Sequence, residues 1–133
     1  MEPALNAFDF APVWLTLRLA TTTTLLLLLI GTPLAWWLAR TSSWLKIPIG
    51  AIVAMPLVLP PTVLGFYLLM SFGGRSPLGQ WMQAQFGLSL SFSFSGILLA
   101  SLVFNLPFMV QPIQRAFEAV AEDLREAALM SGL

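Results

Sequence analysis

The sequence contains no cysteine and no histidine, and only 9% of its 133 residues are charged. The missing cysteines exclude disulfides and thiolate nucleophiles, and without either residue type an ordinary zinc site cannot form. Without histidine, the many serine and threonine hydroxyls lack the usual base that activates them. We therefore expect neither an enzyme active site nor a bound metal or other cofactor.

Ionisable residues are missing from most of the long apolar runs. No Asp, Glu, Lys, Arg or His lies between Lys46 and Arg75, or between Arg75 and Arg115. Proton-coupled transporters normally keep an acidic residue or a histidine in the membrane as a relay, so any transport would draw its energy from elsewhere. No glycine-rich loop followed by Lys and Ser or Thr is present to bind ATP phosphates. The net charge is zero without a basic cluster, so nucleic acid is not an expected partner.

Charged residues make up only 9% of the chain, whereas an ordinary soluble domain carries about 25%. Hydrophobic residues make up 58%. This composition predicts an all-α integral membrane protein. The first uncharged run, between Arg18 and Arg40, is long enough to cross a hydrocarbon core about 30 Å thick. We predict three transmembrane helices in all, at residues 13–39, 47–72 and 96–114.

The second run contains the adjacent prolines Pro60 and Pro61. Each removes a backbone donor and clashes with the preceding turn, so an unbroken helix is not expected. Freed backbone groups at membrane depth are tolerated where they are buried in protein or face a watery cavity. Two interpretations stay open: a proline kink packed between helices, or a discontinuous helix that lines a translocation route. The candidate lining residues of the second and third spans are Pro56, Pro60, Pro61, Thr62, Gly65, Asn105 and Pro107.

Two further features concern the connecting loop and the third span. Ser76 followed by Pro77 is typical of a helix start, and Gly87 is placed to end that helix, which we predict to lie at the membrane interface.

Asn105 is the most central strongly polar side chain of the protein. It is predicted either to form a hydrogen bond between helices or to line a pore.

Residues 115–133 form the segment least suited to lipid. Glu118, Glu122 and Glu126 recur at helical spacing on one face, and Gly132 lies where a helix would end. An acidic face is a poor match for anionic headgroups, which favours an amphipathic helix that docks a soluble partner. The alternative is a solvated helix that joins two spans.

Loop charges predict the orientation of the chain in the membrane. Arg40 and Lys46 flank the first loop, and Arg115 begins the final segment, whereas the tail before Trp14 carries Glu2 and Asp9 without a positive charge. Positive loops stay in the cytoplasm. We therefore predict a multi-pass inner-membrane protein with its N-terminus outside and its final helix in the cytoplasm.

Glu126, Ala127 and Ala128, then three further residues and Gly132, resemble the first half of the EAA motif of ABC-importer permeases. In that family the motif forms a cytoplasmic coupling helix that inserts into a groove on the ATPase subunit. The resemblance implies that these four residues contact a separate ATP-binding subunit. The family pattern continues beyond the point at which this chain stops, so we expect an N-terminal fragment.

Residues 56–69 (PLVLPPTVLGFYLL) resemble the second-span signature of molybdate ABC-transporter permeases. Residues 77–79 (PLG), 105–107 (NLP) and 115–118 (RAFE) fit the same family. The resemblance implies a homodimeric permease, two ATPase subunits, and a periplasmic binding protein that delivers molybdate.

The alternatives are a permease for sulfate, tungstate or an amino acid, or a small membrane scaffold protein that is complete at this length. The proline-rich second span argues against an amino-acid permease.

Overall fold

A computed structural model of the protein describes residues 9–132, which are mostly helical and contain no strand. The helices of this part of the chain are α1 Ala11–Arg40, α2 Lys46–Val58, α3 Pro61–Phe72, α4 Pro77–Phe86 and α5 Phe94–Met130. The all-α prediction is confirmed. Glu2, which contributed to the predicted orientation, and Leu133, the last residue of the predicted coupling helix, lie outside the described residues.

Helices α1 and α5 are each long and apolar enough to cross a membrane, and they run parallel to each other. Near the start of both helices, the guanidinium carbon of Arg18 lies 5.2 Å from the centre of the Phe94 ring. Further along, Gly31 packs against Met109 and Val110. Two parallel spans enter and leave the membrane on the same sides.

Helices α2 and α3 meet at a bend of 114° and could be either a broken span or a re-entrant loop. The start of α2 lies beside the second half of α5, where Lys46 pairs with Glu118. The end of α3 lies beside the first turns of α5, where Phe72 and Ile97 line one cavity. Since α1 and α5 cross in the same direction, the chain between them must cross back. This arrangement favours one broken span, which gives residues 9–132 up to three candidate spans.

Helix α5 continues through the position where the third span is predicted to end. Its 37 residues make it about 55 Å long, whereas a bilayer core is about 30 Å thick. No glycine or proline occurs between residues 113 and 131, and the abundant Ala, Glu and Leu favour helix. The charge of Arg115 marks the edge of the apolar run but does not stop the helix. Residues 115–130, called here the α5 extension, therefore continue α5 without a break.

Helix α4 has the ends that the sequence predicts. The Gly79 N–H donates to the Ser76 hydroxyl oxygen at 2.9 Å, and Pro77 occupies the first turn. After Phe86, Gly87 adopts a left-handed backbone with φ +65°, which glycine enters without steric cost.

The buried core lies where α1, α2 and α5 meet. Ala35 and Leu38 of α1 pack there with Val53 of α2 and Val110 of α5. Most other large apolar side chains face outward, as does Leu29, which is 71% exposed. An outward apolar face suits lipid or further transmembrane helices.

Candidate functional site

The break between α2 and α3 is built by its two prolines. In a regular helix, the carbonyls of Pro56 and Leu57 would accept hydrogen bonds from residues 60 and 61. Pro60 and Pro61 have no N–H to donate. Helix α2 ends instead with the Leu59 N–H bonded to the Met55 carbonyl at 3.2 Å. The break thus leaves the Pro56 and Leu57 carbonyls without their helical donors, as expected of a discontinuous helix.

The predicted lining residues around the break differ in exposure. Pro56 is buried against the bundle, while Pro60, Pro61 and Thr62 are exposed. Pro61 begins α3 at its first turn, and the Leu64 N–H donates to the Pro60 carbonyl at 3.0 Å. The N-terminal end of α3, with its unused N–H groups, therefore lies at an exposed position.

Gly65 lines a cavity of about 350 Å³ between α3 and the start of α5. Its neighbours there are almost all apolar, including Leu69, Phe72, Ile97 and Ala100. Ser91 is the one residue with a polar side chain among the described residues that line this cavity, and none of them is charged.

Asn105 lines a different cavity, of about 420 Å³, between α1 and α5. Thr23 and Ser101 line it too. The Asn105 amide donates to the Ser101 carbonyl of its own helix at 2.8 Å, so the described residues do not contain the predicted bond between helices. Pro107, two residues further along α5, is buried. The structure thus places Asn105 and Gly65 in separate cavities, and the role of both in a pathway stays a prediction.

A polar cluster at the far end of the bundle was not predicted from the sequence. Lys46 Nζ lies 3.9 Å from Glu118 Oε1, and Gln114 Nε2 donates to the same oxygen at 3.1 Å. Gln114, Arg115 and Glu118 also line a cavity of about 270 Å³ facing Gly50 of α2. The sequence did contain one signal for this cluster: Lys46 and Glu118 have opposite charges, and both lie near span ends on the same predicted side of the membrane.

The four predicted coupling residues lie at the end of the α5 extension. Glu126 and Ala127 are exposed and Ala128 is half-buried. The Ser131 N–H donates to the Ala127 carbonyl at 3.0 Å, and Gly132 then turns the chain with φ +79°. The helix thus ends at Met130, and the turn lies at Gly132, near the predicted end. Contact of these residues with an ATPase stays a prediction.

Comparison with known proteins identifies the family. The family model described as the inner membrane component of binding-protein-dependent transport systems matches residues 31–133. The chain is 56% identical to the molybdenum transport system permease protein of Azotobacter vinelandii over 93% of its own length and 55% of that relative. Its identity to the corresponding protein of Escherichia coli K12 is 36%, over 93% of the chain and 54% of the relative.

A protein of Bacillus subtilis named as a putative molybdenum transport system permease is 32% identical over 92% of the chain and 54% of the relative. No solved structure matches. The chain spans about half the length of the curated relatives that it matches. The family match covers well over half of the chain, so the chain belongs to the family of inner membrane components of binding-protein-dependent transport systems.

Proposed function

We propose that this chain is part of the transmembrane permease subunit of an ATP-driven molybdate importer. The observation that carries the proposal is its 56% identity, over 93% of its length, to a molybdenum transport system permease protein. The subunit forms part of the translocation pathway and has no catalytic activity of its own. ATP hydrolysis belongs to a separate subunit.

The arrangement of the helices supports a position for the ATPase. Because α1 and α5 run parallel, the end of α1, the start of α2 and the α5 extension share one end of the bundle. Arg40, Lys46, Arg115 and Arg125 are concentrated at that end. Positive loops face the cytoplasm of bacterial inner membranes. The ATP-binding subunit thus docks on Glu126, Ala127, Ala128 and Gly132, and a periplasmic oxyanion-binding protein approaches the opposite end.

The broken span is the proposed pathway element. At the start of α3, backbone N–H groups have no helical acceptor and carry the positive end of the helix dipole, which favours an anion. Thr62, which carries a hydroxyl, is exposed at the same point. An oxyanion passes such a surface through hydrogen bonds, and no fixed positive charge is present to trap it. Two copies of the permease enclose the route.

A chimera tests the function directly. In this chimera, residues 1–133 replace the stretch that they match in the Azotobacter vinelandii permease. Cells that lack their own molybdate permease are then supplied with the chimera and the remaining transporter subunits. We expect uptake of radioactive molybdate to be restored, while the unfused chain inserts into the membrane without restoring uptake.

Competing ions separate the related functions. Excess unlabelled tungstate or sulfate reduces molybdate uptake in proportion to its own affinity for the transporter, whereas an amino acid leaves uptake unchanged. A chimera that inserts normally but transports no oxyanion would contradict the proposal. Such a result would favour a membrane scaffold role instead.

A further inference from the structure

The cavity that contains Asn105 is an open groove on the side of the α1–α5 pair. We call it the polar groove, defined by six small or polar residues: Thr16, Ala20, Thr23, Thr24, Ser101 and Asn105. Its volume is about 420 Å³. None of the described residues that line it is charged.

The spacing of these residues is that of a helix-packing surface. Thr16, Ala20 and Thr24 recur every four residues along α1, and Ser101 and Asn105 are four residues apart on α5. Residues at this spacing share one helix face. Inside a membrane, small residues let helix backbones approach closely, and polar side chains hydrogen-bond across the contact.

The side chain of Thr23 provides independent evidence that the groove lacks an occupant. This residue is only 6% exposed, and its buried hydroxyl oxygen has no hydrogen-bond partner among residues 9–132. The neighbouring hydroxyls of Thr16 and Thr24 instead donate to the carbonyls of Pro12 and Ala20, at 2.8 and 2.7 Å. A buried polar group left unsatisfied costs about 1–3 kcal/mol. Such a group is expected to find a partner in the assembled protein.

The possible occupants of the groove differ in whether they provide a hydrogen bond to Thr23 and packing against the apolar rim. A lipid chain fills the groove but offers no hydrogen bond to Thr23. Water offers the hydrogen bond but leaves the apolar side chain of Phe108, which is 58% exposed at the rim, without packing. A transmembrane helix with one polar side chain provides both. Because the chain covers only 55% and 54% of two relatives, the rest of such a permease is long enough to supply that helix.

We propose that the polar groove binds a transmembrane helix from the remaining part of the permease. That helix carries a neutral hydrogen-bonding side chain opposite Thr23, because a charged one would meet no counter-charge in the groove. The proposal rests on family membership and on the permease part of the proposed function. It does not depend on which ion is transported.

Co-purification tests the occupant. The chain is co-expressed with a tagged segment that contains the part of the Azotobacter vinelandii permease that this chain does not match, and membranes are solubilised in mild detergent. Ala20→Leu fills the groove, and overpacking of this kind lowers association about tenfold. Ala51→Leu is the matched control, because Ala51 is also an exposed helical alanine but lies on α2. We expect Ala51→Leu to bind like the native chain.

Thr23→Val provides a second variant of nearly unchanged shape. Loss of one hydrogen bond between membrane helices lowers association about threefold. Native chain that fails to co-purify, or co-purification that Ala20→Leu leaves unchanged, would overturn the proposal. So would Ala20→Leu disrupting the association of two differently tagged copies of the chain, since a second copy would then occupy the groove. Co-purification of the two separate segments, together with a chimera that shows no molybdate uptake, would refute the transported ion alone.

Discussion

Lys46 Nζ lies 3.9 Å from Glu118 Oε1, and this contact joins the start of the broken span to the base of the α5 extension. Gln114, one turn earlier on α5, donates to the same carboxylate oxygen and holds it toward α2. A displacement of the α5 extension therefore reaches α2 through side chains as well as through the shared core.

Reversing the charge at Glu118 is expected to weaken this link. Both side chains are 41% exposed, and a solvent-screened pair of this kind contributes about 0–1 kcal/mol. Glu118→Lys in the chimera should therefore lower the thermal unfolding temperature slightly and reduce uptake. Adding Lys46→Glu should restore both. The exposed Glu122→Lys serves as control, and a double variant no better than Glu118→Lys would show that the pair is not coupled.

Gly132→Val is expected to disturb the end of the α5 extension. Gly132 has φ +79°, and a non-glycine residue in a sparsely populated backbone region costs about 1–3 kcal/mol. The chimera should insert normally but lose uptake and co-purify less ATPase. Gly74→Val is the matched control, because a Cβ at Gly74 meets no atom within 4 Å and no positive φ is involved. ATPase recovered at the native ratio would remove this turn from the coupling mechanism.

Water access at the break is tested by single cysteines. The chain contains no native cysteine, so each variant of a chimera with a cysteine-free second half carries one thiol. Thr62→Cys should react with a water-soluble thiol reagent if the broken span lines an aqueous route. Leu29→Cys, on the lipid-facing side of α1, should stay unreactive. Equal protection at both positions would favour a packed proline kink.

Gly31→Leu is expected to separate α1 from α5. Gly31 is buried, and a Cβ added there would lie 3.1 Å from Met109 Cγ and 3.6 Å from Val110 Cγ2. Overpacking of a tight contact costs about 1–3 kcal/mol, so the unfolding temperature of the purified chain in detergent should fall. Gly50→Leu, where an added Cβ meets nothing within 4 Å, should have a smaller effect. Equal changes for both variants would mean that the helix contact at Gly31 is loose.

Features with a local cause could be predicted from the sequence. The ends of α4 follow from the side chain of Ser76 and the backbone freedom of Gly87, and the break follows from the missing donors of Pro60 and Pro61. Each of these depends on residues within about one helical turn. The apolar run of α1 likewise predicts a span by its length alone.

Features that depend on helix rotation and neighbours could not be predicted. Hydropathy gives the length of a span but not the face it presents, so the sequence did not show that Asn105 and Gly65 lie in separate cavities. The pairing of Lys46 with Glu118 joins residues far apart in the chain and depends on how α2 packs on α5. The charge of Arg115 marks the point where the apolar run ends. The helix continues past it because backbone hydrogen bonds form in water as well as in lipid.

The uninterrupted α5 has a mechanical consequence. Val110, fully buried in the core, lies about 24 Å from Phe94 and about 30 Å from Met130 along the helix axis. For α5 moving as one rod, this packing point is a pivot with arms of similar length. A sideways push on the α5 extension then swings the opposite end the other way by a comparable distance. One motion would therefore move α5 inward at one face of the membrane and outward at the other.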